Sequence, residues 1–263
     1  MAATEGAERR RRSAPQWLGG VVGFAGLLVI WQIIGLTMFQ NSGVIPPPTR
    51  IISQMHADGF QFYWRNAKVT MHEAAIGYVW GNVLAIGLAL SFLVVPLLER
   101  PLMRLGVASF CLPVIAIGPI FTVTFNGETP KIILAAMSVF FTTLVGMLLG
   151  LRSADKTALD LVYAYGGGSW SMLTKVRLRA ALPSLFAALR IAAPAAILGA
   201  IIGEYLGGES GLGIAMIASE TAVKIETTWG IALVATGLAG LVYGITALIG
   251  RAVTPWAPQG ARA

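Results

Sequence analysis

Side chains that could carry out chemistry are few in this 263-residue chain. The two histidines, His56 and His72, have no second ligand at a matching spacing, whereas a zinc site needs three or four matched ligands. The chain contains no H-E-x-x-H motif, no paired acidic motif and no G-x-S-x-G elbow. It also lacks any Gly-Lys pair, which the phosphate-binding loop G-x-x-x-x-G-K-[ST] requires. We therefore expect no catalytic residue, no metal site and no bound cofactor in this chain.

Two charged residues lie within long apolar stretches, where charge is costly and often marks a pathway or a partner. Arg190 is near the start of its stretch, so it either reaches water at that membrane surface or faces a cavity. Glu204 is near the end of the same stretch and either lines a pathway or belongs to a polar rim. Interior prolines, such as Pro113 and Pro119, are tolerated where a cavity or neighbouring helices satisfy the freed carbonyl groups. We predict Pro113, Pro119 and Glu204 as pathway residues.

A basic segment, residues 156–179, lies between two of the apolar stretches. Residues 156–165 (KTALDLVYAY) carry an apolar stripe at helical spacing. The glycine run 166–168 ends this helix, because glycine adopts backbone angles that other residues resist. Ser169 is suited to cap a second helix, on which Lys175 and Arg179 stand four residues apart. Such a basic helix pair suits an acidic protein partner or an anionic lipid surface.

The composition is that of a membrane protein. Hydrophobic residues make up 56% of the chain and charged residues 12%, against about 25% charged in soluble domains. Strands of a membrane barrel would alternate apolar and polar residues, and no such segments are present. The sequence predicts an all-α membrane protein with a transmembrane domain over residues 17–252. The six predicted transmembrane helices cover residues 17–39, 74–98, 105–125, 131–151, 184–206 and 229–250.

Basic residues are distributed unequally between the two sides of such a bundle. The larger group consists of Arg9, Arg10, Arg11, Arg12, Arg100, Arg104, Arg152, Lys156, Lys175, Arg177, Arg179, Arg251 and Arg262. The smaller group consists of Arg50, Arg65, Lys68, Lys131 and Lys224. The positive-inside rule places the larger group, both termini and the loop 152–183 in the cytoplasm. This distribution accounts for the net charge of +7 without a nucleic-acid partner.

The ends of the chain are expected to be short tails. Residues 1–16 form a basic, disordered cytoplasmic tail, and residues 253–263 form a second cytoplasmic tail. The first apolar stretch is longer than the 7–15 residues, roughly, of a signal-peptide core, which favours a retained helix over a cleaved signal.

The loop 152–183 resembles the cytoplasmic coupling loop of bacterial ABC importer permeases, whose pattern is E-A-A, three residues, G, nine residues, then I-x-L-P. Asp160 stands at the glutamate position and Gly166 at the glycine. Leu161 and Val162 replace the two alanines, and Arg179 replaces the proline. Val176 and Leu178 match the Ile and Leu positions. The segment HEAAIG at 72–77 contains the letters E-A-A without the spaced glycine, so we do not identify it with this loop.

Further segments are similar to the nitrate/taurine/sulfonate-type permease subfamily, and the resemblance as a whole extends over residues 17–252. These segments are IPPPTRII at 45–52, LPVIAIGPI at 112–120, LPSLFAALRIA at 182–192 and GEYLGGESGLG at 203–213. The resemblance implies a type I ABC importer transmembrane domain in the bacterial plasma membrane. A secondary carrier or a channel is the alternative. This alternative is less favoured, because an ion-coupled carrier normally has more buried carboxylates than this sequence shows.

The resemblance also implies partners. Two permease subunits would form the pathway, two cytoplasmic ATP-binding subunits would hold ATP and magnesium, and an extracytoplasmic solute-binding protein would deliver the substrate. A homodimer is preferred, although the departures at Leu161, Val162 and Arg179 also suit a heterodimer. Expected substrates are sulfonates, taurine, nitrate, bicarbonate or heterocyclic vitamin precursors. Residues expected to couple to the ATPase are Asp160, Leu161, Val162, Tyr163, Gly166, Gly167, Trp170, Leu173, Lys175, Val176 and Leu178.

Overall fold

The computed structural model describes residues 16–37, 44–95, 97, 99–111 and 113–257. Its regular structure is helical throughout these ranges. The helices are α1 (Gln16–Thr37), α2 (Pro48–Asp58), α3 (Phe60–Val94), α4 (Glu99–Cys111), α5 (Val114–Thr124), α6 (Thr129–Arg152), α7 (Lys156–Ala164), α8 (Ser169–Met172), α9 (Leu178–Gly207), α10 (Leu212–Thr221) and α11 (Ile225–Val253). Of the two tails expected from the sequence, residues 1–15 and 258–263 lie outside the described residues, and Gln16 is the first residue of α1.

Five helical segments of the described chain are long and apolar enough to cross a membrane. They are Gly19–Thr37, Phe60–Leu93, Thr129–Arg152, Ser169–Gly207 and Ile225–Val253. These segments correspond to the first, second, fourth, fifth and sixth helices expected from the sequence. The all-α membrane fold is therefore confirmed.

The third expected span, residues 105–125, is not one continuous helix. It is divided between α4 and α5, and Pro113 stands at the start of α5 with φ −66° and ψ 112°. Proline has no N–H to continue the hydrogen-bond ladder, and its ring disfavours helical geometry in the residue before it. Pro119 lies within α5, which continues past it to Thr124. Only one of the two prolines therefore interrupts the helix.

Helix α3 begins at Phe60 rather than at residue 74. Its first turns contain polar residues, but Tyr63, Ala67, Thr70 and Ala74 are buried at helical spacing on one face. This buried face extends the helix well beyond the apolar stretch that the sequence shows.

The loop and the fifth expected helix join without a break. Helix α8, a π-helical turn at Leu173–Arg177 and helix α9 form one helical segment from Ser169 to Gly207. The cap of α8 is Gly168 and not the expected Ser169, which is the first helical residue. We call the end of the bundle that carries residues 153–168 the coupling end, and the opposite end the far end.

Helix α9 lies at the centre of the bundle and packs against α3, α5, α6, α10 and α11. Small residues permit its close approach to α6. A Cβ atom at Gly199 would lie 2.7 Å from Ala135 Cα, and one at Gly150 would lie 2.8 Å from Ala181 Cα. Such close backbone contact is the usual packing mode of membrane helices.

Helix α1 is largely exposed and touches the rest of the described chain near its end. Gln32 donates a hydrogen bond from Nε2 to the Thr49 hydroxyl at 2.9 Å, and its Oε1 accepts from the Thr49 N–H at 3.3 Å. The rings of Trp31 and Trp229 are 5.4 Å apart. These contacts attach the end of α1 to the far end of the bundle.

Candidate functional site

The expected coupling loop forms a compact helix elbow. The Asp155 carboxylate caps α7 by accepting a hydrogen bond from the Thr157 N–H at 3.2 Å. At the other end, Gly166 has φ +77°, and the Gly167 N–H donates to the Val162 carbonyl at 2.8 Å. Glycine is needed at position 166 because other residues rarely adopt this left-handed geometry. The turn directs the chain from α7 into α8.

Large apolar side chains project from this elbow. The exposed fractions are 58% for Leu161, 73% for Tyr163, 86% for Tyr165 and 75% for Trp170. Large apolar side chains that are exposed on one short segment mark a candidate interaction site. We call these four residues the coupling surface. Leu161, Tyr163 and Trp170 are among the coupling residues expected from the sequence, whereas Tyr165 is not, although it lies directly before the glycine run.

The remaining predicted coupling residues fall into three groups. Asp160 and Lys175 are exposed beside the coupling surface, as is Gly166, while Val162, Gly167 and Val176 are half-buried. Leu173 and Leu178 instead pack against the chain's own core, a cluster that includes Ala85, Phe92 and Met147. The elbow is therefore attached directly to the helix bundle.

A second group of polar side chains is buried at the far end. Glu204 of α9 has an exposed fraction of 0%. Its Oε1 accepts a hydrogen bond from the Thr70 hydroxyl at 2.6 Å, and its Oε2 accepts from the Gly213 N–H at 2.6 Å. The Thr70 hydroxyl oxygen in turn accepts from the Leu212 N–H at 2.9 Å. Glu204 thereby satisfies donors at the start of α10 and joins that helix to α9 and α3.

An ion pair lies beside this carboxylate. Lys131 Nζ of α6 is 3.1 Å from Glu73 Oε1 of α3, and the two side chains are 6% and 0% exposed. The Glu73 carboxyl group also lies against that of Glu204. A buried charge requires a partner, so the lysine offsets much of the cost of two neighbouring acids. We call Thr70, Glu73, Lys131 and Glu204 the far-end cluster.

The glycines of the segment 203–213 make room for the far-end cluster. A Cβ at Gly203 would lie 2.7 Å from Lys131 Cα, and one at Gly211, where φ is +115°, would overlap the Glu204 carboxylate. A Cβ at Gly208 would lie 2.7 Å from the Glu204 carbonyl oxygen. The glycine-rich pattern GEYLGGESGLG is therefore a cradle for one buried glutamate.

The three predicted pathway residues differ in how far they are buried. Glu204 is enclosed by its own chain, whereas Pro113 and Pro119 are exposed on α5. Gly118, between the two prolines, packs against Leu206 of α9. A pathway role for these residues stays a prediction.

Sequence reasoning missed Thr70, Glu73 and Lys131. Glu73 belongs to the segment HEAAIG, and Lys131 belongs to the smaller group of basic residues, at the first position of the fourth predicted helix. The signal that could have found Thr70 and Glu73 is the helical spacing of Tyr63, Ala67, Thr70 and Ala74, which extends α3 past its polar residues. Among the described residues, no group of three or more His, Cys, Asp or Glu side chains is arranged to hold a metal ion.

Comparison with known proteins agrees with this arrangement. Residues 81–257 match the family model described as "Binding-protein-dependent transport system inner membrane component". A "Probable ABC transporter permease protein" of Haemophilus influenzae is 28% identical over 218 residues, covering 82% of this chain and 89% of the relative.

Two further relatives carry substrate names. "Formylaminopyrimidine transport permease protein ThiX" of Halalkalibacterium halodurans is 31% identical over 191 residues, covering 72% of this chain and 76% of the relative. "Taurine transport system permease protein TauC" of Escherichia coli is 25% identical over 244 residues, covering 88% and 87%. Permeases of this family are multi-pass plasma-membrane proteins whose ATPase is a separate subunit. This chain belongs to the binding-protein-dependent transport system inner membrane component family, and it is a substrate-translocating permease subunit of an ABC importer.

Proposed function

We propose that two copies of this chain form one pathway and that each copy binds one ATP-binding subunit through its coupling surface. The observation that carries this proposal is the exposure of Leu161, Tyr163, Tyr165 and Trp170 on an elbow that continues directly into α9. Apolar and aromatic side chains of this kind are typical anchors of protein interfaces. The exposed Lys175 and Arg179 nearby suit acidic residues on the partner.

The joined helix supplies a route from the ATPase to the membrane. A helix segment from Ser169 to Gly207 is stiff along its axis, so a displacement of α8 by the partner moves the start of α9. Helix α9 contacts five other helices of the bundle and transmits the movement to them. Closing of the ATPase dimer around ATP and magnesium would thereby switch the bundle between inward-open and outward-open states.

We also propose that a solute-binding protein docks at the far end and delivers a small polar or anionic solute. The names of relatives support this class of solute, since one is named for taurine and another for formylaminopyrimidine. The chain's similarity to both leaves sulfonates, taurine, nitrate, bicarbonate and heterocyclic vitamin precursors as candidates.

The test of the coupling surface is co-purification with the ATP-binding subunit. We expect Tyr163→Asp and Trp170→Ala to abolish co-purification of that subunit and ATP-dependent uptake of taurine or formylaminopyrimidine into proteoliposomes. Phe60→Ala is the matched control, because Phe60 is a 78% exposed aromatic residue on α3. Equal co-purification of all three variants would contradict the proposed interface.

The same preparation tests the subunit arrangement and the mode of energy supply. Mass measurement of the purified complex should give two permease chains of one kind, and two different permease chains would establish a heterodimer. Uptake by the permease alone, driven by an ion gradient and independent of ATP, would indicate a secondary carrier instead.

A further inference from the structure

Arg190 of α9 is held against an aromatic ring rather than against an acid. Its guanidinium carbon lies 5.3 Å from the ring centroid of Tyr243 on α11, within the range of a cation–π contact. Its Nε atom is buried and has no hydrogen-bond partner. Among the described residues no carboxylate lies within ion-pairing distance of Arg190, whereas Lys131 pairs with Glu73 and Arg152 with Glu99.

The contact with Tyr243, a residue that is 42% exposed, holds this charge at membrane depth. A Cβ at Gly250 would lie 3.2 Å from Phe186 Cβ, so residues 186 and 250 stand at one level near the coupling end. Arg190 is one turn deeper than Phe186, and Tyr243 is two turns deeper than Gly250, which is about 10 Å along the helix axis. A side chain that extended to water would run toward Arg251, but the guanidinium is turned toward Tyr243.

Arg190 borders a face of α9 that the rest of the described chain does not cover. The opposite face packs closely, with Ala188, Ala192 and Ala196 buried. The uncovered face carries Ala187, Ile191, Leu198 and Tyr205, and we call these four residues the open face. A charged group beside an uncovered face at membrane depth is costly if that face meets lipid, so such groups mark water-filled paths and partner contacts.

The chemistry of the pair favours an anion. A guanidinium group is permanently charged and planar, and its N–H groups match sulfonate, carboxylate or nitrate oxygens in pairs. The contact with the Tyr243 ring does not use up the N–H groups of the guanidinium, which can donate hydrogen bonds to such an anion. A positive site in a low-dielectric cleft raises the local concentration of anions.

We propose that Arg190, held by Tyr243, is an anion-recognition site on the translocation pathway and that the open face of α9 lines this pathway. The substrate would then carry a sulfonate, carboxylate or comparable anionic group. This inference rests on the proposed function, since it assumes that the open face borders a path between two permease subunits. It assigns the selection of negative charge within the membrane to this chain rather than to the binding protein alone.

The test uses charge-selective thiol labelling in the assembled complex. The native Cys111 is replaced by serine, and Ile191→Cys on the open face is labelled with an anionic reagent, 2-sulfonatoethyl methanethiosulfonate, and with its cationic trimethylammonium counterpart. We expect the ratio of anionic to cationic labelling rates to fall by about tenfold or more when Arg190→Gln is added, in line with focusing in charged clefts. Arg190→Lys should keep most of the ratio, because the charge remains.

A matched control is Val83→Cys on the exposed face of α3, where Val83 is 54% exposed against 56% for Ile191. Arg190→Gln should leave the labelling ratio at this position unchanged. The proposal is overturned if Ile191→Cys reacts with neither reagent, or if its ratio is the same with and without Arg190→Gln. A wild-type complex that takes up neither taurine nor formylaminopyrimidine in the presence of ATP would overturn the proposed function. The ratio of anionic to cationic labelling would still decide whether an anion site exists at Arg190.

Discussion

The ammonium group of Lys131 lies 3.1 Å from a carboxylate oxygen of Glu73, and both side chains are almost completely buried between α6 and α3. Next to this pair, Glu204 of α9 binds the Thr70 hydroxyl and the Gly213 N–H. Four helices, α3, α6, α9 and α10, therefore meet at one cluster of charges. The far end of the bundle is fixed by this cluster, whereas the coupling end carries the exposed elbow.

Removing the lysine should be more harmful than removing the whole pair. Lys131→Met leaves buried carboxyl groups without their cation, and we expect a loss of about 3–5 kcal/mol in the free energy of unfolding. The double variant Lys131→Met with Glu73→Met should recover part of this loss, since the one remaining acid, Glu204, keeps its hydrogen bonds from Thr70 and Gly213. Thermal unfolding of the detergent-solubilised protein measures both. A double variant less stable than Lys131→Met would contradict the ion-pair assignment.

Two glycines of α3 should differ in their tolerance of alanine. A Cβ at Gly81 would lie 2.6 Å from the Ala136 carbonyl oxygen, whereas a Cβ at Gly87 meets nothing within 4 Å. We expect Gly81→Ala to lower stability by about 1–3 kcal/mol, the usual cost of overpacking. Gly87→Ala should have little effect. The unfolding temperatures of Gly81→Ala and Gly87→Ala measure the difference in stability. Equal unfolding temperatures would contradict the close α3–α6 contact at Gly81.

Gly166→Val should stop transport and leave the protein folded in the membrane. The left-handed backbone at Gly166, with φ +77°, costs a branched residue about 1–2 kcal/mol, so the elbow would adopt another shape. Gly168→Ala is the control, since Gly168 has φ −81° and free space around its Cβ position. ATP-dependent uptake and ATPase binding are the measurements. Normal transport by Gly166→Val would show that the elbow does not couple.

A buried hydrogen bond between α3 and α6 should contribute modestly to stability. The Thr143 hydroxyl donates to Asn82 Oδ1 at 2.6 Å, and both residues are buried. Thr143→Val removes the donor, and we expect a loss of about 0.6–2 kcal/mol. Thr236→Val is matched, because the exposed Thr236 hydroxyl bonds only to the Ala232 carbonyl of its own helix. A larger loss for Thr236→Val than for Thr143→Val would contradict this assignment.

Four of the GxxxG pairs in the sequence lie on α1, α3, α6 and α11, and they show how far such a pattern can be interpreted. Cβ atoms at Gly77 and Gly81 would collide with Ala135 and Ala136, and those at Gly146 and Gly150 with Ala188 and Ala181. The other two pairs, Gly19/Gly23 and Gly240/Gly244, have nothing within 4 Å of their Cβ positions. The motif is the same in all four cases. Which glycines make contact depends on which helix faces are turned toward each other, and sequence spacing does not contain that information.

The sequence by itself determined the class of the protein, because the length and the lack of charge of its apolar stretches are local properties that only membrane helices satisfy. It also determined the site of the elbow, since the glycine run and the helical stripe before it are adjacent along the chain. Only the tertiary structure decided that Glu73, Lys131 and Glu204 meet, and that Arg190 lies on Tyr243. Those residues are far apart in sequence, and a buried charge such as that of Glu73, Lys131 or Glu204 becomes tolerable only when folding brings its partner to it.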